Sequence, residues 1–184
     1  MKRALLILLS IVFCFIAVSC NGNITDTSIK TGTEVGEKLP SVSVELFDEN
    51  GLSGEEIDPT NLGKVTVINF WGTWCYYCLK ELPYFNEIAN EYKDSVSFVA
   101  IHSVYSFEEN AVDYVRANYK DSSILFAKDT SLENGEDRVY SALGGEGYYP
   151  FTIIINDEGI VTYKTSGQIS EQLLIYELER ALGN

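Results

Sequence analysis

The sequence predicts an α/β domain in which a mixed central β-sheet is sandwiched by helices. Three observations predict it. Residues 65–70 are apolar or β-branched at almost every position, the pattern of a central strand covered on both faces. Strand-like and helix-like stretches follow one another as β β β α β α β α β β α, and alternating units need a sheet with helices on its faces. Near the end, Asn156, Asp157, Glu158 and Gly159 read as a tight turn between two strand-like runs, which adds an antiparallel hairpin.

In order, residues 42–47 alternate apolar and polar and read as a half-buried strand. Asp48 to Gly51 is a turn, and a second short strand or loop leads to residues 61–64, giving an N-terminal β-hairpin extension. After the 65–70 strand, Phe85, Ile88, Ala89 and Tyr92 fall on one face of a helix. Pro83 lies inside it and lacks the N–H that the helix would use there. Residues 95–101 read as a strand ending near His102. Residues 107–119 read as a helix with Ala111, Tyr114, Val115 and Ala117 inward. Residues 123–127 form a short strand, and 131–143 a helix ending at Gly144 and Gly145. Strands at 151–155 and 160–164 flank the tight turn. The last helix, 170–182, starts on Ser170 and Glu171, which suit a helix N-terminus, and offers Leu173, Leu174, Tyr176, Leu178 and Ala181 for packing.

The chain has 184 residues, 46% of them hydrophobic, enough for one domain plus a leader. Its formal net charge of −14 argues against nucleic acid, which needs clustered Lys and Arg. It also argues against adhesion along an anionic lipid surface. Lys2 and Arg3, the apolar run 4–18 and the small residues before Cys20 describe a secretory signal over residues 1–19. The cysteine after those small residues resembles a bacterial lipobox, which implies lipidation of Cys20; Ala17 stands where such boxes usually have Leu. An uncleaved anchor and plain secretion are the other readings. About 15 apolar residues fall short of the ~20 that span a bilayer. Every reading places the domain outside the cytoplasm. Residues 20–38, rich in Gly, Thr, Asn and Ser, read as a flexible tether, and residues 39–184 as the domain.

Two of the four cysteines lie in the leader, so the domain keeps one pair, Cys75 and Cys78. Two cysteines three apart, between a strand and a helix, suit a disulfide that opens and closes by thiol–disulfide exchange. Unpaired N–H groups and the dipole of a helix N-terminus favour a thiolate at Cys75. Cys75 is therefore the expected nucleophile, and Cys78, one turn on, the resolving thiol. The alternatives are an inert disulfide or half a zinc site. Zinc needs two further ligands, and only His102 and carboxylates remain. No metal or other cofactor is expected beyond the disulfide.

The run from Val67 through Asn69, Trp71, Gly72, Thr73, Trp74, Cys75, Tyr76, Tyr77 and Cys78, then Glu81 and Pro83, resembles the thioredoxin family, and within it the TlpA/ResA-like thiol–disulfide oxidoreductases. Residues 39–64 resemble that group's N-terminal hairpin, and 149–161 its cis-proline segment and hairpin. The resemblance covers residues 39–182 and implies the thioredoxin fold. It implies a cis bond at Pro150 against the disulfide, with Tyr149 offering backbone groups to a peptide; an ordinary trans proline is the plain alternative. It also implies that Glu81 tunes the pair and moves protons. Thioredoxins proper have a buried aspartate at the position of Asn69, which cannot titrate, so Glu81 is the remaining acceptor. A solvated carboxylate beside Lys80 is the alternative. Tyr76 and Tyr77 match none of the family's usual pairs, which leaves the reduction potential open. Tyr76 is read either as part of a docking rim with Trp74 and Tyr149 or as an exposed aromatic without a partner. Phe151 departs from the small hydroxyl residue usual after the cis-proline.

These features imply a protein-disulfide oxidoreductase, extracytoplasmic and lipid-anchored, acting on cysteines of exported proteins in the reducing direction, as in cytochrome c maturation. A membrane or extracytoplasmic electron donor, the bilayer through the anchor and a monomeric state belong to that reading. A thiol peroxidase is a competing class, although the proline of its nucleophile loop is missing. A metal- or haem-handling module is another, although it usually has a wider cysteine spacing plus histidine. His102, the single histidine, reads as an ordinary core or surface residue.

Overall fold

A computed structural model of the chain describes residues 29–131 and 136–184, without the side chains of residues 108 and 109. The expected signal peptide, Cys20 and the start of the tether lie outside the described residues.

Seven strands form one sheet in the order β2-β1-β5-β4-β3-β6-β7. The strands are β1 (Val44–Asp48), β2 (Gly51–Ile57), β3 (Val65–Trp71), β4 (Val96–His102), β5 (Ile124–Lys128), β6 (Phe151–Ile155) and β7 (Val161–Ser166). β3, β4 and β5 are parallel, while β6 runs antiparallel to β3, and β7 to β6. β1 and β2 form the expected N-terminal hairpin, which joins the sheet through β1 against β5. Every residue of β3 is buried, as its apolar run requires.

One face of the sheet carries α1 (Tyr76–Glu91), α2 (Val112–Asn118) and α4 (Glu171–Leu182), which pack on Val67, Trp71, Phe98 and Ile154. The other carries α3 (Arg138–Ala142) and the chain around Leu39, packed on Ile68, Phe70, Val99 and Ile153. Odd-numbered residues of β3 thus face α1 and even-numbered ones face α3, as the period of a strand dictates.

Four expectations change. The stretch read as a tether is held at its end. Lys38 N–H donates to Lys30 O, Gly36 N–H to Val161 O, and Lys38 bridges Ile160, so polar composition there does not mean free chain. The helix expected over 131–143 begins only at Arg138. Ser131 pairs with Asp137, and the buried Asp129 carboxylate accepts from the N–H groups of Thr130, Val139 and Tyr140. Residues 107–119 split into a π-helical turn, Phe107–Ala111, followed by α2, which leaves Ala117 exposed. On α4, Leu173 and Tyr176 are exposed, and the buried row is Leu174 and Leu178, spaced i, i+4.

Candidate functional site

The C-terminal ends of β3 and β4, the N-terminus of α1 and the start of β6 meet at one end of the central strands. β3 ends at Trp71, and the chain turns through Gly72, Thr73 and Trp74 into α1. A Cβ at Gly72 would lie 2.7 Å from the Trp74 indole, so a larger residue there would have to displace that ring. Cys75 N–H donates back to Gly72 O at 2.9 Å. Cys75 is the N-cap of α1, and its Sγ accepts from Cys78 N–H at 3.2 Å. The two cysteines are joined as a disulfide. Cys78 is fully buried, whereas Cys75 keeps 6% of its surface exposed. An incoming thiol or disulfide therefore reaches Cys75 first, and on reduction Cys75 already faces a helix N-terminus that favours the thiolate.

Beneath the pair lies a small buried polar group. Glu81 sits one turn past Cys78 and has no exposed surface. Its Oε1 accepts from Asn69 Nδ2 at 2.8 Å, and its Oε2 from Ile169 N–H at 3.4 Å. Burial pushes its carboxyl up to about 8, against the smaller opposing pull of the Asn69 and Ile169 hydrogen bonds. Glu81 is thus no solvated carboxylate, and Lys80 instead lies over the Tyr76 ring at 4.5 Å. Asn69 Nδ2 also donates to Thr152 Oγ1 at 3.0 Å. Thr152 was not singled out from the sequence. The signal was a lone polar residue in an apolar strand, two places before Ile154 on the same face. It places a hydroxyl one residue past Phe151.

Tyr149–Pro150 is a cis peptide. Pro150 is buried, and Phe151 pairs with Phe70, so the cis bond stands at the same end of the strands as the turn into the disulfide. Pro150 O accepts from Gly167 N–H at 2.7 Å. Tyr149 stacks on Tyr140 with centroids 4.7 Å apart and meets Trp74 edge-on at 5.2 Å. Its hydroxyl donates to Asp137 Oδ2 at 2.6 Å, and burial together with that carboxylate raises its pKa. Asp137, also missed from sequence, accepts from Val104 N–H through its other oxygen. A cavity of about 430 Å³ opens beside this cluster, walled by Tyr105, Tyr140, Tyr149 and Asp137. The structure brings Trp74 and Tyr149 together as expected. It places Tyr76 elsewhere, against Tyr77 at 5.3 Å and under Lys80. Trp74, Tyr76, Tyr77, Tyr105 and Tyr148 are all exposed.

His102, at the end of β4, is fully buried beside Trp71. Nδ1 contacts Ser103 O at 2.5 Å, and Nε2 accepts from Thr73 N–H at 3.0 Å. With both nitrogens committed, it is not placed as a zinc ligand beside the cysteines. Among the described residues, no group of three or more His, Cys, Asp or Glu side chains is arranged to hold a metal ion. Nor is any helix among them long and apolar enough to cross a membrane.

The model of the Redoxin family matches residues 34–182. The thiol-disulfide oxidoreductase ResA of Bacillus thuringiensis subsp. konkukian is 39% identical over 149 residues, which cover 78% of this chain and 76% of that protein. The thioredoxin-like protein YneN of Bacillus subtilis is 28% identical over 133 residues, 72% of this chain and 71% of that one. The crystal structure of StoA from Bacillus subtilis superposes with a TM-score of 0.56 at 24% identity, covering 74% of this chain and 96% of StoA, and shows the same fold. With this fold, a cysteine pair at a helix N-terminus and a cis-proline beside it, the chain belongs to the Redoxin family, as a thioredoxin-like thiol–disulfide oxidoreductase of the TlpA/ResA-like group.

Proposed function

We propose that this chain is an extracytoplasmic oxidoreductase, held to the membrane by lipid on Cys20, that reduces disulfides in exported proteins such as apocytochrome c. The observation that carries the redox part is the asymmetry of the pair: Cys75, at the helix N-terminus, keeps 6% of its surface exposed, while Cys78 keeps none and lies one turn before the buried Glu81. In the reduced protein the Cys75 thiolate attacks a substrate disulfide and one substrate sulfur leaves as thiolate. Cys78 then attacks Cys75 Sγ, closing the disulfide and releasing the second substrate thiolate. The substrate gains two electrons and the cysteine pair loses two. Glu81 takes the proton of Cys78 as that thiol attacks. A carboxyl pushed up to about 8 in the disulfide form fits a group that has just been protonated. Trp74 and Tyr149, with the backbone around Pro150, form the docking edge for the substrate.

The reducing direction is supported by the titratable group under Cys78 being a carboxyl rather than a cationic side chain. It adds no positive charge to hold a thiolate, and strong oxidants are those whose reduced form is stabilised. An exported location is supported by the leader, and the membrane tether by Cys20 after small residues. The test is the reduction potential of the Cys75–Cys78 pair, measured by equilibration with thiol buffers. A value in the thioredoxin range, about −270 mV, is expected, and a value near about −120 mV contradicts the reducing assignment. In cells, Cys20→Ser releases the full chain from the membrane fraction; retention of that variant contradicts lipidation.

A further inference from the structure

We infer that His102 is a positioning residue for the redox pair, holding the loop that presents Cys75 through the Thr73 N–H. The inference rests on the redox reading of Cys75 and Cys78. β4 lies parallel to β3 in a register that sets His102 beside Trp71, so its side chain lies under the turn from β3 into α1. The ring is clamped edge-on by Trp71, with centroids 4.7 Å apart, and by Phe107 at 5.7 Å. Nδ1 faces a carbonyl, Ser103 O, which only accepts, so Nδ1 carries the proton. That tautomer leaves a lone pair on Nε2, and Thr73 N–H donates to it.

Thr73 is two residues ahead of Cys75, and the loop is otherwise closed by its own Cys75 N–H to Gly72 O bond. The Thr73 hydroxyl is buried and has no hydrogen-bond partner among the described residues, so the tie of Thr73 to β4 falls to its backbone N–H. Ser103 N–H also donates to Trp71 O at 2.9 Å, which fixes the end of β4 against the end of β3. The entry angle of the chain into α1 therefore depends on His102. That angle sets whether Cys75 Sγ meets the Cys78 N–H. Charge has no part in this role, because burial lowers the imidazole pKa to about 4 and keeps the ring neutral near neutral pH.

The experiment compares wild type, His102→Phe and His102→Gln in the reduced state. Phe keeps the ring packing but has no acceptor, and Gln offers an amide oxygen in place of Nε2. The readouts are the Cys75 thiolate fraction against pH, by ultraviolet absorbance, and the equilibrium with glutathione. His102→Phe is expected to lower the thiolate fraction at a fixed pH roughly three- to tenfold, the worth of one hydrogen bond, with Gln restoring most of it. A Phe variant that is less heat-stable but has an unchanged thiolate fraction overturns the inference, since a purely structural histidine predicts that pair of results. Should Phe fail to fold, imidazole nitrogen NMR of the wild type decides: a proton on Nδ1 and a slowly exchanging Thr73 amide in both redox states support the role, and a proton on Nε2 overturns it. Glutathione exchange by the wild type is scored first. Its absence overturns the redox reading and this inference with it, whereas exchange indifferent to His102 overturns the inference alone.

Discussion

The two sides of the disulfide are built from opposite materials. Below it are Asn69, Glu81, Thr152 and His102, all buried, polar and hydrogen-bonded. Around it stand exposed aromatic rings, Trp74 at 47% and Tyr76 at 63% among them. Buried polar groups act in a low dielectric, where a proton or a dipole changes the energy of a nearby thiolate strongly. Exposed aromatic rings change that energy little, but they give a partner large, amphipathic contact area. Under the proposed function, that difference assigns redox poise to the buried polar floor and partner contact to Trp74 and Tyr149 on the rim, so each is expected to be alterable without the other.

The largest effect that sharpens this contrast is expected at Glu81. Its ordinary pKa near 4.5 is raised to about 8 by burial, so the folded protein binds a proton that the unfolded chain releases between those values. The stability that Glu81 allows is fully present below pH 4.5, falls as pH rises, and is lost above about 8. Glu81→Gln removes this dependence and keeps an acceptor for Asn69. Thermal unfolding at pH 9 is expected to favour the variant by a few kcal/mol, on the order of the burial cost, with little difference at pH 4. Under the proposed mechanism the same variant is expected to slow the second exchange step, because Cys78 would lose its proton acceptor. Equal pH profiles for the variant and the wild type would mean that Glu81 is not buried as an acid.

A smaller effect is expected on the rim. Trp74→Ala removes the ring that meets both Tyr149 and Tyr105. It is expected to lower kcat/KM for a disulfide-bonded peptide roughly three- to tenfold, the worth of an aromatic contact, while leaving the reduction potential in place. If the potential moves instead, the division between floor and rim is wrong.

Most of the fold was legible in the sequence because its signals are local. The apolar run of β3, the turn at Asn156–Gly159 and the alternation of elements each act over a few residues. α3 was not legible. Asp129, eight residues ahead of the expected helix's midpoint, captures the N–H groups that start it, and that contact is tertiary. The cysteines, Glu81 and Pro150 were readable from spacing and resemblance. Thr152, Asp137 and the role of His102 were not, since each gains its meaning from a partner on another strand or loop: Asn69, Tyr149 and Thr73. The docking rim was half legible. Trp74 and Tyr149 meet, but Tyr76 makes its contacts with Tyr77 and Lys80 instead.

The central claim is that Cys75 is the nucleophile because α1 begins on it. The most direct test is the pH dependence of alkylation in the reduced protein, with each site identified by mass spectrometry. The account predicts that Cys75 reacts first, with an apparent pKa below the ~8.5 of a free cysteine, and that Cys78 is protected. Equal modification of both thiols, with Cys75 titrating near ~8.5, would contradict it.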